Sequence, residues 1–149
     1  EDLQGLVDLT RKAAALFCSR GSGRELRVSV NTFVPKPWTP FQWAGMATER
    51  EIKSKRKMVI EALNRIDGVS AGRKSGREEV LQALFSIGTV EVGEALVRAV
   101  QENREWQEIY GGFAGWIHRG KGPEELLPWD FIDNGLEKAR LLKGWAEAQ

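Results

Sequence analysis

The sequence predicts a mainly α protein with one or two strands, and three observations carry that expectation. Apolar residues recur at helical spacing in several separate stretches. Strict alternation rich in β-branched residues occurs once, over residues 26–34. A lone strand cannot pair its own N–H and C=O groups, so a helix and a strand at the start of the chain read as the last βα units of a parallel sheet whose earlier strands lie elsewhere.

Each element has a local reason. Over 2–19, Leu3, Leu6, Val7, Ala13, Ala14 and Phe17 keep helical spacing, and Gly21, Ser22 and Gly23 stop the pattern. Cys18 falls beside Ala14 on the inner face and reads as core packing, since no His or Lys at helical spacing would favour a thiolate. After the strand at 26–34, Pro35, Pro37 and Pro40 forbid both helix and ladder pairing and predict a stiff, extended loop with Lys36 and Trp38 on one side. Thr48 with Glu51 three residues on forms a capping box. It opens a helix whose seam is Ile52, Val59, Leu63 and Ile66 and whose stop is Gly68.

Residues 69–76, with Gly72 and Gly76, read as a loop. Glu79-Val80-x-x-Ala83-Leu84-Phe85 and Glu91-Val92-x-x-Ala95-Leu96-Val97 share a pattern. Two copies are too few for a solenoid, and they read as a helical hairpin bent at Gly88 with Thr89 as the second N-cap. Residues 103–118 look helical, with Trp106, Tyr110, Phe113 and Trp116 as large apolar bodies, although Gly111, Gly112 and Gly115 weaken the stretch. Pro123 suits the first turn of a short helix through Leu127. Asn134 with Glu137 reads as another capping box, opening a terminal helix through Leu141, Leu142 and Trp145.

Composition excludes several classes. The chain has 149 residues, 42% apolar and 29% charged, which suits a globular domain or part of a larger one rather than a disordered, collagenous or disulfide-built chain. No apolar run approaches the ~20 residues of a membrane span. One cysteine and one histidine cannot furnish an internal disulfide or a multi-thiolate metal site, which points to a reducing, cytoplasmic setting. The net charge of +1 hides a split: residues 1–76 hold 14 basic and 8 acidic side chains, residues 77–149 hold 8 and 13. Attraction between the two halves is the simpler reading of that asymmetry, an anionic partner the alternative. The sequence opens at Glu1 directly in a helical pattern without a signal peptide, and reads as a trimmed piece.

The segment Val28-Ser29-Val30-Asn31-Thr32-Phe33-Val34-Pro35-Lys36-Pro37-Trp38-Thr39-Pro40-Phe41-Gln42-Trp43 resembles the late-barrel segment of radical S-adenosylmethionine proteins that carry an N-terminal cobalamin-binding domain. Leu127-Pro128-Trp129-Asp130-Phe131-Ile132-Asp133-Asn134-Gly135 resembles a second signature near the end of the same chain. The resemblance implies that residues 1–47 end a partial (β/α) barrel and that 48–149 form a C-terminal helical extension. The function it implies is that of the C-terminal part of a radical S-adenosylmethionine, iron–sulfur enzyme of unknown substrate. More distant relatives include the methylthiotransferases of transfer RNA and ribosomal protein. The cluster-binding CxxxCxxC motif is missing, so the fragment itself is expected to hold no cofactor and to be non-catalytic. S-Adenosylmethionine and a [4Fe–4S] cluster, with cobalamin left open, belong to the full-length protein. Similar proteins also carry a basic Arg-Gly-Asp-like turn where this chain has Ser86-Ile87-Gly88-Thr89-Val90-Glu91.

Within that frame Leu26, Val28, Val30 and Thr32 form the outward set of the strand. Ser29, Asn31 and Phe33 face the lumen, where the resemblance places the S-adenosylmethionine adenosyl group and the substrate. Asn31 offers a donor and an acceptor for a nucleoside edge and Phe33 a π-face, or else Asn31 bonds neighbouring backbone and Phe33 fills core. Lys36, Trp38, Thr39 and Gln42 form the candidate substrate-binding rim, with Lys36 suited to a phosphate or carboxylate. Trp43 reads as a packing clamp. The basic face Lys53, Lys55, Arg56 and Lys57 could meet nucleic acid, but the absence of interleaved stacking aromatics favours a solvated face. Asp130 and Asp133 resemble an acid/base pair only superficially, Asp130 belonging to a turn and Asp133 with Asn134 to a helix cap. His118 suits a helix end and needs no catalytic role. The expected partners are the remainder of its own chain and a second copy through the exposed strand. A self-standing helical interaction domain is the remaining alternative.

Overall fold

The computed structural model describes residues 2–18, 25–73 and 76–148. It is mainly helical with two parallel strands, in the order α1 (Asp2–Cys18), β1 (Leu26–Val30), a 3-10 turn (Pro40–Trp43), α2 (Glu49–Leu63), β2 (Val69–Arg73), α3 (Gly76–Ile87), α4 (Val90–Gln101), α5 (Trp106–His118) and α6 (Lys138–Glu147). The Cys18 side chain, the glycine stop at 21–23 and the Trp106 side chain lie outside what is described. The chain divides into two compact units that interleave in sequence: 1–32 with 48–76, and 33–47 with 77–149.

The first unit is a βαβ arrangement with α1 added. β1 pairs in parallel with β2, from Leu26↔Val69 to Val30↔Arg73, and α2 lies in the crossover between them. This corrects two expectations. The strand is not alone, and 69–76 is not simply a loop, because its first five residues pair as β2. β1 also stops at Val30 rather than Val34. The core is Val7, Val59 and Leu63, with Val28 and Val30 of β1 and Val69 and Ala71 of β2 packed against it. Arg27 and Ser29, on the alternate face, are exposed. The capping box is present as expected: Thr48 Oγ1 accepts from the Glu51 N–H, and the Glu51 carboxylate accepts from the Thr48 N–H at 2.8 Å.

The second unit packs α3 to α6 around the loop 33–47. α3 and α4 are separate helices divided by Gly88 and Thr89 as expected, but they do not pack as the expected hairpin: α4 lies against α5 instead, and Val80, Ala83, Leu84 and Val92 are buried. Thr89 stands at the N-cap of α4 without a side-chain bond to the helix backbone; its hydroxyl instead holds the Glu91 carboxyl below the usual carboxylate range. The Trp116 indole donates to the Ile87 carbonyl at 2.6 Å, satisfying one of the open C-terminal carbonyls of α3.

Two helix starts differ from expectation. Residues 123–127 form turns rather than a short helix. The Asn134–Glu137 capping box does not form, and α6 begins at Lys138 after Glu137. The reason is local competition: Asp133 Oδ1 accepts from the Gly135 N–H at 2.9 Å and Asn134 Oδ1 from the Leu136 N–H at 3.0 Å, so both side chains are spent in Asx turns ahead of the helix.

Candidate functional site

The candidate site is built on the loop 33–47. The loop is not uniformly extended: Trp38 takes a left-handed backbone conformation, φ +55°, which turns the chain between Pro37 and Thr39. That removes the reason for placing Lys36 and Trp38 on one side. Three bonds hold the turn. The Trp38 N–H donates to Gln42 Oε1 at 3.1 Å, Thr39 Oγ1 donates to the Lys36 carbonyl at 2.9 Å, and the Gln42 N–H donates to the Thr39 carbonyl at 3.0 Å. Pro40 then suits the start of the 3-10 turn.

Gln42 is buried, and its Oε1 also accepts from Trp129 Nε1 at 2.8 Å. One oxygen therefore joins the Pro-rich segment to the Leu127–Asp133 segment, 87 residues away in sequence. Asp130 closes the second segment on itself, its carboxylate accepting from the Leu127 N–H at 2.9 Å while its N–H donates to the Leu127 carbonyl at 3.0 Å. Lys36 reaches across to α3, where its Nζ donates to Ser86 Oγ at 2.6 Å. Of the four rim residues, Lys36, Trp38 and Thr39 are half-buried and Gln42 is fully engaged inside the protein.

Beyond the turn, the chain lies against the end of α5. The Lys121 N–H donates to the Trp43 carbonyl at 2.8 Å and the Met46 N–H to the Ile117 carbonyl at 3.0 Å. Gly45 permits this approach, because a Cβ there would stand 2.3 Å from the His118 carbonyl oxygen. His118 Nδ1 lies 2.8 Å from the Met46 carbonyl, which can only accept, so Nδ1 carries the proton. Nε2 then accepts from the Tyr110 hydroxyl at 2.6 Å. Trp43 is buried and meets the Trp145 ring of α6 at 6.3 Å, the packing role expected for it. Gly144 lets α6 approach Pro40 closely, a Cβ there standing 2.9 Å from Pro40 Cγ.

The sequence reading missed Lys121. Its side chain is 5% exposed, its Nζ donates to the Trp116 carbonyl at 3.2 Å, and it sits 4.7 Å from the centre of the Trp116 ring. Burial, aided by the Arg119 charge and opposed by Glu125, pulls its pKa down to about 8. Arg119 lies 4.5 Å from the same ring and forks onto Glu125, with one bond at 2.8 Å and a shorter second one from Nη2 to Oε1. The Arg119 hydrogen bond holds the Glu125 carboxyl down at about 2. Nothing in the pattern Gly120-Lys121-Gly122 marks a buried lysine; the only available signal was a cation five residues after Trp116 at a helix end.

The remaining sequence candidates are placed as follows. Ser29 and Asn31 belong to the first unit and are exposed, Ser29 Oγ lying 3.5 Å from Asn31 Oδ1. Phe33 belongs to the second unit, half exposed and edge-on to Phe41 with centroids 5.3 Å apart. On α2, Lys53, Lys55 and Lys57 are exposed, whereas Arg56 turns back to donate to Thr32 Oγ1. Among the described residues no three His, Cys, Asp or Glu side chains converge on a metal position. The donor set of this chain, with one cysteine, does not fit a [4Fe–4S] cluster, which needs several thiolates. Comparison of the chain with family models, curated proteins and solved structures gives no match.

Proposed function

We propose that this chain is the C-terminal part of a radical S-adenosylmethionine enzyme of unknown substrate, with residues of the first unit closing a partial (β/α) barrel and the helices extending it. The observation that carries the reading is the meeting of the two signature segments at Gln42 Oε1, which accepts from both the Trp38 N–H and Trp129 Nε1. The parallel β1–α2–β2 connection supports the same reading, since it is the repeating unit of such barrels.

In this role the chain supplies no cluster ligands and does not act alone. Ser29 and Asn31 would contribute to holding S-adenosylmethionine, Asn31 through the amide that its long contact with Ser29 leaves available. Lys36, Trp38 and Thr39 would meet the substrate, and Gln42 would position them through the bonds that fix the turn. A nucleic-acid-binding role would rest on Lys53, Lys55 and Lys57 alone, on a helix without a stacking aromatic.

The test uses the full-length protein. After anaerobic reconstitution it should hold a cluster and cleave S-adenosylmethionine. Lys36→Ala and Trp38→Ala should then abolish turnover at nearly unchanged thermal stability, while Trp43→Ala should lose ~3–5 kcal/mol of stability. A full-length protein without a CxxxCxxC motif, or one whose turnover survives both loop substitutions, overturns the proposal.

A further inference from the structure

α5 carries the only tyrosine and the only histidine of the sequence, and it brings the two together. The Tyr110 hydroxyl lies 2.6 Å from His118 Nε2, a short hydrogen bond. The ring planes stand 88° apart with centroids at 6.1 Å, so the side chains meet through oxygen and nitrogen rather than by stacking. Both are half-buried. The imidazole is fixed from its other side, where the Nδ1–H donates to the Met46 carbonyl at 2.8 Å. Met46 is itself held, buried, with its N–H donating to the Ile117 carbonyl at 3.0 Å. The proton therefore sits on Nδ1, and the Nε2 lone pair is aimed at the phenol.

We infer that Tyr110 and His118 form a proton-coupled redox pair, whose co-reactant is a one-electron oxidant acting without bond formation to the ring. The oxidant takes one electron from the phenol and is reduced by it. The phenol O–H bond breaks, and an N–H bond forms at His118 Nε2. The products are a neutral phenoxyl radical and an imidazolium. Without an acceptor for its proton the oxidised phenol would remain a cation in a half-buried place, which is unfavourable, so the Nε2 lone pair eases the loss of the electron. Nothing needs to rearrange, because the imidazolium has a donor on each nitrogen: Nδ1–H for the Met46 carbonyl and Nε2–H for the phenoxyl oxygen. Returning the electron reverses both transfers. A second observation directs the oxidation to Tyr110. Trp116 of the same helix is a competing electron donor, but Arg119 and Lys121 lie 4.5 and 4.7 Å from the centre of its ring. Two cations against one ring oppose an indole cation radical by Coulomb repulsion.

Pulse radiolysis of the 149-residue chain with the azide radical as oxidant, coupled to freeze-quench electron paramagnetic resonance, tests the pair. Azide radical oxidises indole rings first, and the indolyl signal should then decay into a phenoxyl signal at a rate independent of protein concentration. With one tyrosine in the chain, that signal is Tyr110. In deuterium oxide the phenoxyl should couple to an exchangeable deuteron, and with isotope-labelled histidine it should couple to a ring nitrogen of His118. His118→Gln leaves the phenol an acceptor but no base. It should slow phenoxyl formation about tenfold, less than the usual effect of a positioned base because solvent water partly substitutes. An indolyl signal that persists with no phenoxyl overturns the inference, as does a folded His118→Gln variant of unchanged rate. A wild-type phenoxyl without coupling to the histidine nitrogen also overturns it, and this measurement decides even where the variant fails to fold.

Discussion

Replacing Gln42 by Leu removes the one oxygen on which the two signature segments converge. Gln42 Oε1 accepts at 3.1 Å from the Trp38 N–H and at 2.8 Å from Trp129 Nε1, and both Gln42 and Trp129 are buried. Leucine fills nearly the same space and accepts nothing. Two donors then lose their partner at ~1–3 kcal/mol each, the more exposed Trp38 N–H at the low end, so the loss should be about 3 kcal/mol. Trp129→Phe removes one donor and part of a ring, and should cost ~2 kcal/mol. The decisive quantity is their coupling. In the Trp129→Phe background Gln42→Leu orphans one donor instead of two, so the double variant should be more stable than the sum of the singles implies by ~1–2 kcal/mol. Urea unfolding followed by far-ultraviolet circular dichroism reads this without interference from the lost indole. Additive single effects, or a Gln42→Leu cost below ~1 kcal/mol, would refute the reasoning.

Two further outcomes follow from the surroundings of that loop. Gly45→Ala should lower Tm by about 5 °C, since its Cβ would meet the backbone of residues 118–120, while Gly111→Ala, with open space at its Cβ in α5, should raise stability slightly. The folded-state pKa of Lys121, about 8, lies below its ordinary 10.5, so between those values the unfolded chain binds the additional proton and stability rises with pH. Tm measured across that interval should rise more in the wild type than in Lys121→Met, and parallel curves would show that the amine is not desolvated.

How much could be read from the sequence depended on whether a signal was local. The Thr48–Glu51 capping box needs only four consecutive residues, and it forms as expected. The alternation of β1 put Val28 and Val30 on one face, expected to meet helices, and Ser29 on the other; the structure keeps that division, Val28 and Val30 packing against Val59 and Leu63 while Ser29 is exposed, because the period depends on the pleat alone. β2 was illegible: Val69-Ser70-Ala71-Gly72-Arg73 has small residues and a glycine, and it becomes a strand because β1 and Asn64 occupy its two edges. Asn134 and Glu137 carried a capping signature that failed, since Asx turns offered the same side chains a nearer donor. The turn at Trp38 was hidden for a comparable reason. Its left-handed backbone is held by Gln42, and Gln42 is held by Trp129 from the far end of the chain.

The interleaving of the two units governs how the polypeptide can be dissected. The chain passes from one unit to the other after residues 32, 47 and 76. A cut at 76 gives an N-terminal product that keeps Gln42, Trp43 and Met46 but loses Ile117, Trp129 and Trp145, against which they bond or pack. The C-terminal product has the converse deficit. A scission at 76 leaves the first unit whole and divides only the second, whose loop 33–47 and helices fall on opposite sides of the cut, so a chimaera with its crossover there disrupts the second hydrophobic interior alone. Split-protein complementation, in which residues 77–149 regain their fold only when mixed with 1–76, is the behaviour this connectivity entails.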